Sequence, residues 1–425
     1  MFLILASSLS DYLVGLALSK TEGITRRKAL LSISLIVNIG MLGFFKYYNF
    51  FATELAEALN TIGIQANLTS LQVILPVGIS FYTFQTMAYS IDIYRRHIPP
   101  HKNIIQYLTF VSFFPQLVAG PIERSRDLLP QFSKARVFNS GLVVDGLRQM
   151  LWGFFAKIVI ADNIAHLVDP VFGDCENMPF SKLLIAAILF PVQIYADFSG
   201  YSNIAIGTAK LLGIHLSTNF SFPLFSRDIG ELWRRWHISL GSWCRDYVYI
   251  PLGGNRRGKL RQAINALITF ALIGLWHGAN WTFLVFGVIQ AIYFGTLLMV
   301  KAAKKRGIVA ENTLFPNGRE LFQVLATFFL FSASTIIFRS NSLGTSIDYY
   351  QALLEFDGWE WGGLLKPVVL AALFMSFEWF TRRYEHAFEM KNWAMPSRWI
   401  TYWGVLASII FYGEFSERSF IYFQF

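Results

Sequence analysis

The sequence is poor in charge and nearly without cysteine. Only 15% of its 425 residues are Asp, Glu, Lys or Arg, while 54% are hydrophobic and the mean hydropathy is +0.44. Ordinary soluble domains carry about 25% charged residues, so this balance excludes one. The two cysteines, Cys175 and Cys244, fall in separate loops placed on opposite faces. That excludes a disulfide framework and suggests no metal site. No basic segment precedes the first apolar run and no small-residue cleavage site follows it, so no cleavable signal peptide is expected. Internal repeats, low-complexity tracts and linkers are also lacking, which predicts one integrated domain over residues 1–425.

What is present is a series of apolar runs of about 17–25 residues, the length that spans a bilayer. The net charge of +9 lies in short loops between them. Lys and Arg collect on the cytoplasmic side of membrane proteins, so these loops set the orientation and a nucleic-acid partner is not expected. Spans are predicted at 1–19, 29–52, 71–93, 141–168, 182–212, 320–338, 364–380 and 399–413. The loops 53–70, 169–181 and 339–363, acidic with at most one Arg, fall outside. The run 104–120 has basic flanks on both sides and contains Pro115 and Gly120, so it is predicted to re-enter rather than cross. The run 263–300 also starts and ends beside basic residues, ending at Lys301 to Arg306, and reads as a hairpin entered from the cytoplasm. The fold class is therefore all-α: a polytopic membrane protein of about 10–11 transmembrane or re-entrant helices.

The stretch Asp228 to Thr282 stands apart from this pattern. A basic, tryptophan-rich segment within the loop 213–262 leads into an apolar run that stops at Trp276-His277-Gly278-Ala279-Asn280. At about 1.5 Å per residue, the arm 263–276 covers roughly 21 Å of a ~30 Å core, so His277 is expected deep in the membrane. A titratable ring there is a functional candidate. A neutral imidazole can take a proton from a hydroxyl that attacks a thioester carbonyl. Trp276 and Trp281 would exclude water, and Asn280 would orient the ring or donate to an oxyanion. On local sequence alone, the same histidine fits a structural hydrogen bond between helices better. His237, in Trp233-Arg234-Arg235-Trp236-His237, reads locally as an interfacial anchor and gains interest only if the loop folds back onto His277.

Within the span 182–212, Gln193, Tyr195, Asp197, Ser199, Tyr201 and Asn203 suit either interhelical bonding or the lining of a polar cavity, and Asp197 favours the second. Asn280, Trp276, Asp197 and Arg235 are the candidate substrate-binding residues beside the candidate catalytic pair His277 and His237. Gly253 to Lys259, GGNRRGK, falls short of a phosphate-binding loop because Leu260 stands where Ser or Thr would hold magnesium. Cys244 suits a thioester or lipidation site only weakly, and Asn67 and Asn280 begin glycosylation sequons. A reading from another class is a proton-coupled transporter with Asp197 and the two histidines as a relay, although the paired repeats common in transporters are not seen.

Five stretches carry a family resemblance: FVSFFPQLVAGPIER (Phe110 to Arg124), QIYADFSGYSNIAIG (Gln193 to Gly207), ELWRRWHISLGSWCRDYVYIPLGGNRRG (Glu231 to Gly258), LWHGANWT (Leu275 to Thr282) and FIYFQF (Phe420 to Phe425). With them the chain resembles the membrane-bound O-acyltransferases, and within these the bacterial branch that contains alginate O-acetylase. Teichoic acid D-alanyltransferase is a more distant likeness. The resemblance implies that His277 is catalytic, that His237 supports it, and that the helices surround a central tunnel. It implies an acetyl group moved from a cytoplasmic thioester, acetyl-CoA as co-substrate, toward an extracytoplasmic polysaccharide. Alginate, peptidoglycan, cellulose and teichoic acid are all acceptors served by such proteins. No bound cofactor or metal is expected. The implied setting is a bacterial inner membrane, with lipid around the helices and a periplasmic acetyltransferase as partner. Relatives usually carry apolar segments ahead of the stretch matching Met1, so the family's first helices are expected to be missing here.

Overall fold

The computed structural model describes residues 2–66, 71, 75–299, 307–390, 393–416, 418, 420 and 421. The sequon at Asn67, the basic cluster Lys301 to Arg306, Lys391 and the last four residues of FIYFQF lie outside them. Among the described residues all regular structure is helical. Six helices among the described residues are long and apolar enough to cross a membrane: α1 (Phe2–Lys20), α2 (Ile24–Thr61), α7 (Ser140–Gly173), α8 (Phe180–Leu211), α12 (Trp281–Met299) and α13 (Gly318–Arg339). Between α2 and α7 come α3 (Ile79–Tyr94), α4 (Ile104–Val111), α5 (Phe114–Leu117) and α6 (Ser125–Phe132). Short helices α9 (Ile229–Arg235) and α10 (Ile238–Cys244) precede α11 (Gly258–His277), and α14 (Leu343–Ala352), α15 (Leu365–Thr381) and α16 (Met395–Tyr412) follow α13. The chain divides into two compact units, Met1–Val137 with Gly278–Asn280, and Phe138–His277 with Trp281–Phe425.

In the first unit a buried polar cluster ties α1, α2 and α3. Asp11 accepts from Ser34, from Ser90 at 2.9 Å and from Asn38 at 2.7 Å. Asn38 in turn accepts from Ser7 and Thr86 at 2.9 and 3.0 Å. Lipid offers no such partners, so the bonds favour association of the three helices. The buried Arg27 donates to the carbonyls of Leu18, Thr21, Ile93 and Tyr94, and so serves the unsatisfied C-terminal ends of α1 and α3 together. The run 104–120 forms two short helices, neither long enough to cross. The break falls at Ser112–Phe113, and Pro115 starts the second helix instead of ending the first, because its missing N–H costs nothing there. Helix α2 runs to Thr61, beyond the expected end at residue 52, since Ala52 to Thr61 is rich in Ala, Leu and Glu.

The second unit is built on an antiparallel pair, α7 and α8, that meet through glycine. A Cβ on Gly146 would stand 2.7 Å from the Gly207 carbonyl oxygen, and one on Gly153 would stand 2.6 Å from that of Gly200. The pairs are seven residues apart on both helices, so one stripe recurs every two turns and the backbones touch. Trp152 stacks between Phe374 and Phe377 of α15 and Phe388, closing the core on the other side. Helices α11 and α12 form the expected hairpin. It too is closed by glycine: a Cβ on Gly274 would collide with the Phe283 carbonyl, and one on Gly287 with that of Phe270. The arm bearing His277 begins at Gly258, five residues before the predicted start, and is 20 residues long. The extra turn, Gly258 to Gln262, is polar, so a hydropathy reading stops short of it. Large apolar side chains such as Ile36, Phe329 and Ile400 stay exposed on the helix faces, as lipid contact requires.

Candidate active site

The segment 213–262 is folded, and much of its tryptophan-rich part is buried. Asp228 caps α9 by accepting from the Glu231 N–H at 2.7 Å. Glu231 then binds Arg227 and Arg235, each with a guanidinium nitrogen at 3.0 Å. Burial alone would raise the Glu231 carboxyl, but Arg227 and Arg235 outweigh it and hold the group below its usual value. Trp233 donates to Gln290 of α12 at 3.1 Å, and Gln290 donates to Ser334 of α13 at 2.8 Å. This chain fixes α9 against the hairpin, so the next turn arrives beside its end.

That turn is His237. Its φ of +43° puts a non-glycine residue in the left-handed region, a conformation that costs on the order of 1–2 kcal/mol. The surroundings enforce it: the Ile238 N–H binds the Asn219 carbonyl at 2.9 Å, and the Gly241 N–H binds the His237 carbonyl at 3.0 Å. The ring packs edge-on against Phe198, with centroids 4.7 Å apart. Trp276 stands against both histidines, 5.6 Å from His237 and 5.1 Å from His277. Phe338 of α13 meets His277 edge-on at 5.2 Å. Both imidazoles are at least 95% buried. Burial, and then the neighbouring His277 ring, hold His237 well below the ordinary histidine value. A pair of imidazoles walled by aromatic rings excludes water, and a neutral ring in such a place can accept a proton.

A cavity of about 350 Å³ lies among α9, α10, α11 and α12, and neither histidine is on its lining. Trp233, Ile238, Phe270, Ile273 and Phe294 wall it, and Arg234 and Arg245 lie on its lining. Ile238 directly follows His237, and Ile273 sits one turn before His277 on α11. Sequence reading missed Arg234 and Arg245. Their signal was the spacing Arg234, Ile238, Gly241, Arg245, one helical face interrupted only at Trp236–His237.

The other candidates have different surroundings. The Asp197 carboxylate receives Lys157 at 2.6 Å and the Ile421 N–H at 2.8 Å, and Lys157 also binds Asp162 at 2.8 Å. The Arg235 guanidinium is taken up by Glu231 and by the carbonyls of Ser221 and Gly307. Asn280 lies half-buried in the turn between α11 and α12 and groups with the first unit. Trp276 is thus the one substrate-binding candidate in ring contact with both histidines. Asn219, which sequence reading passed over, places its Oδ1 3.1 Å from His237 Nδ1. Nothing in its local sequence marks it. Cys175 and Cys244 are both buried free thiols.

Comparison with known proteins bears on this geometry. The profile of the MBOAT, membrane-bound O-acyltransferase family matches residues 29–306, which include both histidines. A probable alginate O-acetylase of Azotobacter vinelandii is 35% identical over 378 residues, 88% of this chain and 73% of that protein. A peptidoglycan O-acetyltransferase of Helicobacter pylori is 32% identical over 84% of this chain and 70% of its own length. A teichoic acid D-alanyltransferase of Bacillus subtilis is 28% identical over 51% of this chain and 57% of its own.

Proposed function

Because the chain belongs to the membrane-bound O-acyltransferase family and is a multi-pass bacterial membrane enzyme of that kind, we propose that it moves an acetyl group from a cytoplasmic thioester, acetyl-CoA, toward a polysaccharide hydroxyl outside the membrane. The observation that supports this reading is the buried pair His237 and His277 around Trp276, together with an arginine-bearing cavity whose lining includes Ile238, next to His237 in the chain, and Ile273, one turn before His277. Arg234 and Arg245 suit the phosphates of the donor, and the apolar wall toward Ile273 suits its pantetheine arm. His277 acts as general base. It takes the proton of the acceptor hydroxyl while that oxygen attacks the thioester carbonyl. The tetrahedral intermediate collapses, the thiolate leaves, and the proton passes to it. His237 supports the charge that develops, and Trp276 keeps water, the competing nucleophile, away. Asp197 and Arg235 contribute through the helices they hold.

The acceptor is of the alginate type, since that relative is among the more similar over most of the chain. A periplasmic partner that finishes the transfer is part of the proposal. The test uses the protein in nanodiscs with radiolabelled acetyl-CoA, with His277 intact or changed to Ala. Transfer of label to acceptor only with His277 present is the expected result. Equal transfer by His277→Ala, or solute flux with no acyl chemistry, would overturn the reading.

A further inference from the structure

We propose, building on the acyl-transfer reading above, that Asn219 is a positioning residue which holds His237 in one tautomer, with the proton on Nδ1 and the lone pair on Nε2. Asn219 is completely buried. A side-chain amide can in principle face its neighbours with either end, but here the partners decide. The backbone N–H of Ser239, which can only donate, lies 3.4 Å from Asn219 Oδ1. The Ser239 hydroxyl donates to the same oxygen at 2.9 Å. At the opposite end, Nδ2 donates to Ser202 Oγ of α8 at 3.2 Å. The atom that lies 3.1 Å from His237 Nδ1 is therefore a carbonyl oxygen, which has no proton to give. Nδ1 must be the donor, and in the neutral ring Nε2 is left as the acceptor.

The backbone supports this assignment. The Ile238 N–H on the Asn219 carbonyl draws the two segments together, and the left-handed turn at His237 aims Nδ1 at the amide. Turning the ring over would put a carbon against Oδ1 and lose the bond, while Phe198 and Trp276 crowd the ring from either side. His237 thus enters the reaction able to accept a hydrogen bond or a proton at Nε2. It can donate from Nε2 only after it has itself been protonated.

The experiment combines a tautomer measurement with kinetics. Protein in nanodiscs carries 15N-histidine, and solid-state NMR reads each ring nitrogen, with His237→Gln identifying the signal of interest. The wild type should show protonated Nδ1 and unprotonated Nε2 at His237. Asn219→Leu, which fills the space but accepts nothing, should move the proton toward Nε2 and lower acyl transfer by on the order of 100-fold. Asn219→Asp keeps the acceptor, so it should keep the tautomer and recover most of the rate. Its added charge should move the acid limb of the pH–rate profile upward. A wild type protonated at Nε2, a Leu variant that keeps tautomer and rate, or Asp and Leu variants equally inactive would each overturn the proposal. A wild type that transfers no acyl group would defeat the acyl-transfer reading instead. The tautomer measurement needs no substrate and still decides the role of Asn219.

Discussion

Two of the sets of titratable groups that the second unit buries contrast with each other. At the middle of α7 and α8, charge meets charge: Lys157 lies between Asp162 and Asp197, and the Ile421 N–H binds Asp197 from the chain's last stretch. At the end of α11, the two imidazoles meet rings: Trp276, Phe338 and Phe198. The first set shares one cation between two carboxylates and holds helices together. The second stands against aromatic rings, which carry no full charge.

Four substitutions test that contrast. The largest effect belongs to His277→Ala, which should lower acyl transfer by about 10³-fold while the thermal midpoint in detergent barely moves. A large loss of stability would place His277 with the structural set. Lys157→Met should do the reverse. Two buried carboxylates would lose their cation, folded yield should fall as expected for a loss of about 3–5 kcal/mol, and the rate per folded molecule should persist. Size-exclusion chromatography alongside radiolabel transfer separates the two effects. Gly153→Ala, whose new methyl would press on the Gly200 carbonyl beside Lys157, should cost about 1–3 kcal/mol of stability and again spare the rate. Smallest is Arg245→Gln on the cavity lining, which should raise the KM for donor about tenfold with kcat and stability unchanged. A fall in kcat alone would move Arg245 from binding to the chemical step.

The hairpin of α11 and α12 was legible in the sequence because its apolar run is bounded by basic residues and broken by Trp276 to Asn280. The approach of His237 to it was not. The two histidines are 40 positions apart (277 − 237), and what joins them is the Trp233–Gln290–Ser334 chain together with Asn219, contacts that no periodicity announces. Asp197 looked like a site for a related reason. Its partner Lys157 is also 40 positions away (197 − 157), inside another span, so local sequence shows neither charge its partner. Local propensity did govern α2, where good helix formers carried the helix past the end that hydropathy sets. The polar first turn of α11 was overlooked for the same reason, since hydropathy sees lipid contact and not hydrogen bonding.

Helix α7 passes through a π turn at Phe155–Ala161, between its glycine stripe and Asp162. A π turn holds one residue more than an α turn, and each residue advances a helix by about 100°, so the two halves of α7 are out of phase with each other. Holding the same residues in regular α geometry would swing everything downstream by a quarter turn or more. Asp162 would leave Lys157, and Asn163 would leave the Tyr412 carbonyl it now holds at 2.8 Å. The extra residue acts as a phase shifter: it lets a single rod present glycine to one neighbour and carboxylate to another.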